Sequence, residues 1–445
     1  MLIEFKVANY RSVKDEQTLS LVASKNRELA DSGTLESGIP NVKLLPSSAI
    51  YGPNASGKTN LLLALLRMKR IVTESSLEKG RGDDLPIEPF KLDAKSLAKP
   101  STFEVFFVSG GIRYQYGFSA TEVYIADEWL FAFPEKRAQR WFSRTREKGE
   151  YQWEFGPSLK GEKKLWQKST RDNALFLSTA VQLNSKQLQP VYDWFRDTLR
   201  LAGIGEWSPA FSTSLCETGD KNRILDFLKK ADLGIDDIHV KEASRDLGPS
   251  PYGGMASILK KTLPYGGMPH TLKNEVAEIM ERKRYRRIGE VIIEKEYEIK
   301  TVHKDSSGQG IEFDIGYEES DGTRKIFALA GPFLESLKKG YVVCIDELHD
   351  NLHPDLVKFL VGLFNNKETN TGHAQLIFTT HETSMLNQKV LRRDQIWFCE
   401  KDRGQATVLY PLTDFSPRKG VTNLEAAYLS GRYGAVPYIA ESPQI

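Results

Sequence analysis

Three cysteines, Cys216, Cys344 and Cys399, are all that the 445 residues carry. They lie far apart and share no metal-ligand spacing. Neither a disulfide framework nor a cysteine-rich zinc site is expected; buried free thiols in a reducing cytosol are. Long hydrophobic runs are also missing: none approaches the ~20 residues a helix needs to cross a bilayer. The opening Met1-Leu2-Ile3-Glu4-Phe5-Lys6-Val7 is too charged and too alternating for a signal peptide. Nor is there an excess of one charge, since 61 Lys and Arg against 59 Asp and Glu leave a net +2. No global field therefore argues for nucleic acid or membrane, and any such surface must be a local patch. Internal repeats and sustained heptads are lacking, which argues against a long coiled coil. These absences describe a cytoplasmic globular protein with no membrane contact.

What is present is an alternation of strand and helix signals at the two ends of the chain. Residues 3–8 and 17–22 alternate as strands. A short run, Ser48-Ala49-Ile50-Tyr51, ends at Gly52, and residues 61–68 are strong helix formers, apolar nearly all round. Strand patterns return at 102–108 and 112–119. Residues 160–240 read as mostly helical, with 222–231 as an example, and 244–270 are a loop rich in Gly and Pro. A short helix is expected at 271–280, and strands near 291–302 and 311–317. The last third predicts helix 325–338, strand 342–345, helix 354–364 and strand 375–379. The fold class expected is α/β with a mixed, largely parallel sheet core. Residues 1–124 and 288–445 are its two halves, and 125–287 is a mostly helical insertion.

Gly52-Pro53-Asn54-Ala55-Ser56-Gly57-Lys58-Thr59 matches the phosphate-binding pattern GxxxxGK[ST] in full, between an apolar strand and a helix. Glycines let the backbone curl around phosphate oxygens. The curled amides and the helix N-terminus form a positive cradle. Asn54, Ala55, Ser56, Gly57, Lys58, Thr59 and Asn60 are accordingly the candidate nucleotide-binding residues. Lys58 adds a full charge on the β- and γ-phosphates, and the Thr59 hydroxyl is a ligand for Mg²⁺.

Val342-Val343-Cys344-Ile345-Asp346-Glu347 is an apolar strand ending in two carboxylates. Asp346 is expected to hold Mg²⁺ through its water shell, and Glu347 to orient or deprotonate the attacking water. Thr379-Thr380-His381 follows a second apolar strand. A lone histidine is commonly structural, but His381 sits where a third nucleotide-facing strand should end, so it is the second candidate catalytic residue.

Together these motifs resemble the ABC-type ATPase heads of the SMC, RecF and OLD group, over about residues 1–120 and 290–430. The run from Ile345 to Pro354 is similar to the family's joined Walker B and D-loop, and His381 matches its H-loop. Asn9-Tyr10-Arg11-Ser12 resembles an N-terminal segment whose arginine lies near the nucleotide in relatives, which implies a nucleotide-binding role for Arg11. Glu319-Ser320-Asp321-Gly322-Thr323 resembles a degenerate signature motif, although an ordinary helix N-cap would look the same. The resemblance implies that Ser320, Gly322 and Thr323 face the γ-phosphate bound by an opposite subunit, and hence a homo-oligomer, a dimer or a higher even-numbered assembly. No glutamine marks a Q-loop near Ile87-Glu88-Pro89-Phe90.

The ATPase subunits of PARIS, Septu and RloA-type anti-phage systems are similar, also in the character of the tail Tyr428–Pro437. That kinship implies ATP and Mg²⁺ as cofactors and a separately encoded nuclease or toxin as partner. The Asp-x-Asp of a Toprim nuclease is not found after His381, so self-contained cleavage is not expected. A RecF-like DNA-repair clamp is the alternative. It would use the basic cluster Arg282-Lys283-Arg284-Tyr285-Arg286-Arg287 on nucleic-acid phosphates, although a solvated face or a subunit contact would look alike. A transporter subunit fits less well with the N-terminal strands and the large insertion.

Overall fold

A computed structural model describes residues 1–25, 33–77, 80–135, 137–202, 209–246, 285–288, 291–415 and 423–438. The helix expected at 271–280, most of the loop expected at 244–270, and Arg282, Lys283 and Arg284 of the basic cluster lie outside them. The chain divides into two compact units, Met1–Ile204 with Glu335–Ile445, and Gly205–Leu334.

In chain order the first unit opens with strands β1 (Leu2–Ala8), β2 (Gln17–Ser20), β3 (Leu35–Glu36), β4 (Lys43–Leu44) and β5 (Ser47–Tyr51), then helix α1 (Lys58–Glu74). Strands β6 (Ser101–Ser109), β7 (Ile112–Ala120), β8 (Ile125–Phe133), β9 (Gln139–Glu147) and β10 (Glu150–Phe155) follow. Short helices between Lys163 and Asp193 lead to β11 (Leu199–Ala202).

Two sheets result. The first is antiparallel throughout, in the order β10-β9-β8-β7-β6-β1-β2. Residues 125–155, expected inside the helical insertion, are therefore three further strands of this sheet. The alternation of β8 and β9 is disguised because the charged Glu128 and Arg144 take buried positions, whereas β10 alternates plainly. Glu128 explains how the Arg144 charge is tolerated. Its carboxylate, fully buried, accepts from Arg144 Nε (3.0 Å), Tyr116 Oη (3.0 Å), Phe176 N (2.7 Å) and Leu177 N (3.0 Å). These bonds satisfy the carboxylate, as a buried ion pair requires of its lone pairs, and Arg144 Nη2 donates to the Ala174 carbonyl (2.6 Å), while Nη1 has no hydrogen-bond partner among the described residues. Lys148 and Gly149, both at positive φ, close the β9–β10 hairpin with the two-residue turn such strands favour.

The second unit contains strands β12 (Asp237–Asp246), β13 (Tyr285–Ile288), β14 (Val291–Lys304) and β15 (Gly310–Asp314), all paired antiparallel around β14. Helix Lys221–Lys230 buries Ile224, Leu225, Phe227 and Leu228 on one face. Helix α2 (Asp321–Lys339) begins in this unit and ends in the first.

The rest of the first unit comprises β16 (Val342–Ile345), α3 (Pro354–Asn365), β17 (Gln375–Thr379), β18 (Ile396–Lys401), β19 (Thr407–Pro411) and α4 (Leu424–Leu429). Its sheet runs β11-β16-β17-β5-β18-β19, parallel except for the last strand. The observed class is thus α/β with a mixed sheet core and helical insertions.

Every residue of β5, β16 and β17 is buried, as expected of parallel strands covered on both faces. Helix α1 is apolar nearly all round because its Leu61–Leu65, Met68, Ile71 and Val72 share one core with Phe5 and Phe103 of the first sheet and Ile50 and Ile377 of the second. Gln375 joins the sheets: its side chain accepts from Leu2 N (2.6 Å) and donates to the carbonyls of Leu2 (2.9 Å) and Leu45 (3.2 Å). In register, Cys344 lies beside Ile377 and Ile377 beside Ser48. The carboxyl ends of β16, β17 and β5 therefore emerge along one edge.

Candidate nucleotide site

At that edge β5 turns directly into the glycine loop. Gly52, Ala55 and Gly57 all have positive φ, and Gly57 caps α1 in the left-handed region. The glycines are required by space as well as by torsion. A Cβ on Gly52 would lie 2.1 Å from the Cys399 carbonyl oxygen, and one on Gly57 would lie 2.0 Å from Thr407 Oγ1. The loop is thus wedged between the start of α1 and the β18–β19 hairpin. Asn54 and Ala55 are exposed at its crest, and Ser56 is buried with its Oγ unpartnered.

Lys58, only 5% exposed, folds back over the loop. Its ammonium donates to the carbonyls of Gly52 (2.8 Å) and Pro53 (3.0 Å) and lies 3.2 Å from His381 Nε2. Three acceptors use its three protons, so Nε2 of His381 carries a lone pair here. Burial pushes the Lys58 pKa down, against the opposing pull of Cys399, Asp346 and Glu347. Burial first, then the neighbouring Lys58 and His349, push the His381 pKa down from the ordinary histidine value, against the opposing pull of Glu347 and Asp346.

Asp346 is held from both sides. Thr59 Oγ1 donates to its Oδ2 (2.7 Å) and Thr379 Oγ1 to its Oδ1 (2.6 Å). The same Thr379 oxygen accepts from Glu347 N (2.8 Å). That bond helps hold Glu347, whose φ of 49° is rare for a non-glycine residue, at the head of its turn. The Glu347 side chain is exposed. His349 sits 5.6 Å from the His381 ring centre, edge to face.

Asn60 donates to Ser12 Oγ (2.7 Å), which lies 2.8 Å from Thr407 Oγ1. Thr407 Oγ1 is also 2.8 Å from the Ser56 carbonyl and 3.2 Å from Lys401 Nζ. Arg11 turns to Glu88: its Nη2 lies 2.7 Å from Glu88 Oε1 and its backbone N–H donates to the Glu88 carbonyl (2.7 Å). Asn9 anchors the same segment by donating to the carbonyls of Ser96 and Lys99 (2.9 Å each) and accepting from Phe90 N (3.1 Å).

Ser320, Gly322 and Thr323 lie in the second unit, at the start of α2. There the Ser320 hydroxyl accepts from Thr323 N (3.1 Å) and lies 2.9 Å from Thr323 Oγ1, the bonding of a helix N-cap. Glu319 beside it lies 2.7 Å from His303 Nε2 and also takes the Thr301 hydroxyl.

Lys58, Thr59, Asp346 and His381 are thus brought together, whereas Asn60 bonds to Ser12 and through it to Thr407, and Arg11 pairs with Glu88. Reading the sequence missed Thr379, Ser12 and Thr407. Thr379 stood in the recognised Thr-Thr-His run and could have been named. Thr407 carried no signal, because only its hairpin brings it to the loop. Among the described residues no group of three or more His, Cys, Asp or Glu is placed to hold a metal. No described helix is long and apolar enough to cross a membrane.

The family described as “AAA domain, putative AbiEii toxin, Type IV TA system” matches residues 47–387. A comparison with curated protein sequences gives no match. Solved structures similar to the chain include an SMC head domain from Thermotoga maritima, at 12% identity and TM-score 0.37, covering 92% of this chain and 98% of that one. Another is an SMC head bound to the C-winged helix domain of ScpA, at 14% identity and TM-score 0.42, covering 92% and 97%. A third is an SMC head with an extended coiled coil, bound to the C-terminal domain of ScpA derived from Pyrococcus furiosus. It has 12% identity and TM-score 0.34, and covers 97% and 98%.

Proposed function

We propose, starting from the membership of this chain in the AAA-domain family of AbiEii and type IV toxin–antitoxin description, that it binds and hydrolyses Mg²⁺-ATP at the edge where β5, β16 and β17 end. One observation carries the reading: Lys58 and Thr59, Asp346 and His381, from three separate stretches of chain, meet at one sheet edge, where Lys58 lies against His381 and Thr59 donates to Asp346.

The residues fit the ligand. Gly52 and Gly57 leave no room for a Cβ, the Ser56 hydroxyl is unpartnered, and the Lys58 ammonium is held against its own loop's carbonyls, weak partners that phosphate oxygens can replace. Thr59 and Asp346 are few ligands for a metal, yet Mg²⁺ on a nucleotide takes most of its oxygens from phosphate and water. When bound, Mg²⁺ supplies charge neutralisation on the phosphate oxygens. Lys58 holds the β- and γ-phosphates. Glu347, exposed at the head of its turn, orients or deprotonates the attacking water, and His381 meets the γ-phosphate side from β17.

The family match supports a role in a toxin or anti-phage effector system. In our reading ATP binding assembles two or more copies, with Ser320, Gly322 and Thr323 of one copy completing the site of another. The assembly controls a separately encoded nuclease or toxin. The side chains of the 282–287 basic cluster, on which a DNA-clamp reading would rest, lie outside the described residues.

The test is ATP binding and turnover by wild type, Lys58→Ala and Glu347→Gln. Lys58→Ala should lose binding, and Glu347→Gln should bind ATP but turn it over about a hundredfold more slowly or worse, as for loss of general base catalysis. Tight ATP binding by Lys58→Ala, or wild-type turnover by Glu347→Gln, would defeat the reading.

A further inference from the structure

The tail around residues 428–437 plays no part in the site as described so far, yet it is fastened to it. After β17 the chain passes Thr380 and His381 and makes a single tight turn at Thr383–Met385. Locally, Glu382 N donates to Thr380 Oγ1 (3.0 Å), Ser384 N to Glu382 Oε1 (2.9 Å) and Leu386 N to the Thr383 carbonyl (2.9 Å).

Its other anchors come from elsewhere. Tyr51, the last residue before the glycine loop, donates its hydroxyl to the Glu382 carbonyl (3.1 Å). Thr383 Oγ1 donates to Glu425 Oε1 at 2.6 Å. Glu425 stands in the first turn of α4, which is capped by Asn423.

That tail is itself rigidly seated. Tyr428 packs edge to face on Tyr51 (5.8 Å) and stacks on Phe398 (5.4 Å), while its hydroxyl donates to the Ala435 carbonyl (2.8 Å). Ala435 N donates to Glu400 Oε2 (2.8 Å), and Tyr410 Oη to the Tyr433 carbonyl (3.0 Å). Gly434 is at positive φ and so close to its neighbours that a Cβ would lie 2.6 Å from Tyr410 Oη.

We infer that Glu425 is a positioning residue for His381: the C-terminal segment 423–438 straps the histidine turn through the Glu425–Thr383 bond. A short charge-assisted O–H···O⁻ bond is among the stronger and more directional contacts a turn can have. The turn it fixes carries the histidine whose Nε2 meets Lys58. Asp346, Glu347, His349 and Lys58 are the charged and titratable groups around that ring. Among the described residues no hydrogen bond joins the strap to the glycine loop or Thr59, so its loss should leave nucleotide binding in place and disturb the step that His381 serves.

This inference rests on the ATPase reading, and two measurements on the full chain separate their failures. In steady-state ATP hydrolysis, Glu425→Ala and Thr383→Val should each lower kcat about tenfold or more with KM unchanged, the expected scale for a misplaced group. Thr383→Ser, which keeps the hydroxyl, should restore kcat. In nucleotide-free protein, the ¹³C-labelled His381 ring signal, assigned by its loss in His381→Gln, should titrate closer to an ordinary histidine in Glu425→Ala. If wild type hydrolyses no ATP, the ATPase reading falls and the histidine titration still decides the strap. Unchanged kcat and an unchanged His381 titration in Glu425→Ala overturn it. So does a kcat loss matched by KM and by Thr383→Ser, which would mark a merely structural tail.

Discussion

Gly57→Ala tests the geometry of the glycine loop most directly. The native φ of 107° is a conformation that costs an L-residue about 1–2 kcal/mol. The new Cβ would also meet Thr407 Oγ1 at 2.0 Å and Ser12 Oγ at 2.8 Å. Relieving such an overlap in a packed site costs about 1–3 kcal/mol. The sum, about 2–5 kcal/mol, should appear as a lower urea midpoint at unchanged slope and as weaker binding of an ATP analogue. Thr407→Ala removes the nearest obstacle. Alone it should cost only about 0.5–1.5 kcal/mol for its hydrogen bonds. Combined with Gly57→Ala it should recover much of the overlap cost but none of the torsional cost. The double-mutant cycle should therefore give a clear coupling energy between residues 57 and 407, which have direct contact although they are far apart in sequence. A Gly57→Ala protein as stable and as tight-binding as wild type would refute the reasoning. So would zero coupling in the cycle.

Glu128→Ala strips Arg144 and two helix-start amides of their buried acceptor and should destabilise the protein by about 3–5 kcal/mol, measured by urea unfolding. A loss below 1 kcal/mol would mean that the pair is solvated. Asp346→Ala frees both Thr59 and Thr379 from their carboxylate partner and should abolish Mg²⁺-dependent turnover while ATP binding without metal survives; turnover at the wild-type rate would remove Asp346 from the metal site. Ser320→Arg should block turnover yet leave ATP binding to isolated subunits intact, and loss of binding by the single subunit would place the signature elsewhere. Mass measurement of the protein purified with and without ATP, alone and with its genomic neighbours, tests the proposed assembly; a monomer under every condition would exclude shared sites.

Sequence by itself determined the parts whose physics is local. Strands Val342–Ile345 and Gln375–Thr379 were legible to the residue because a buried parallel strand must be an unbroken apolar run. The glycine loop was legible because backbone that curls at positive φ demands glycine at fixed spacing. The acid pair and His381 could be read because each ends such a strand. Where burial admits charge, the pattern failed. Strands β8 and β9 were hidden because the charged Glu128 and Arg144 are both buried and pair across the two strands, whereas β10 alternates plainly.

Tertiary structure alone decided which distant groups meet. Thr379 gained its place between Asp346 and Glu347 only through parallel registry of β16 and β17. Thr407 reached the glycine loop only through the β18–β19 hairpin, and Glu425 reached the histidine turn only because the tail packs on Tyr51. Thr379 at least stood in the Thr-Thr-His run; the contacts of Thr407 and Glu425 leave no periodic or spaced signal in the chain, since each depends on one side chain set by elements far away in sequence.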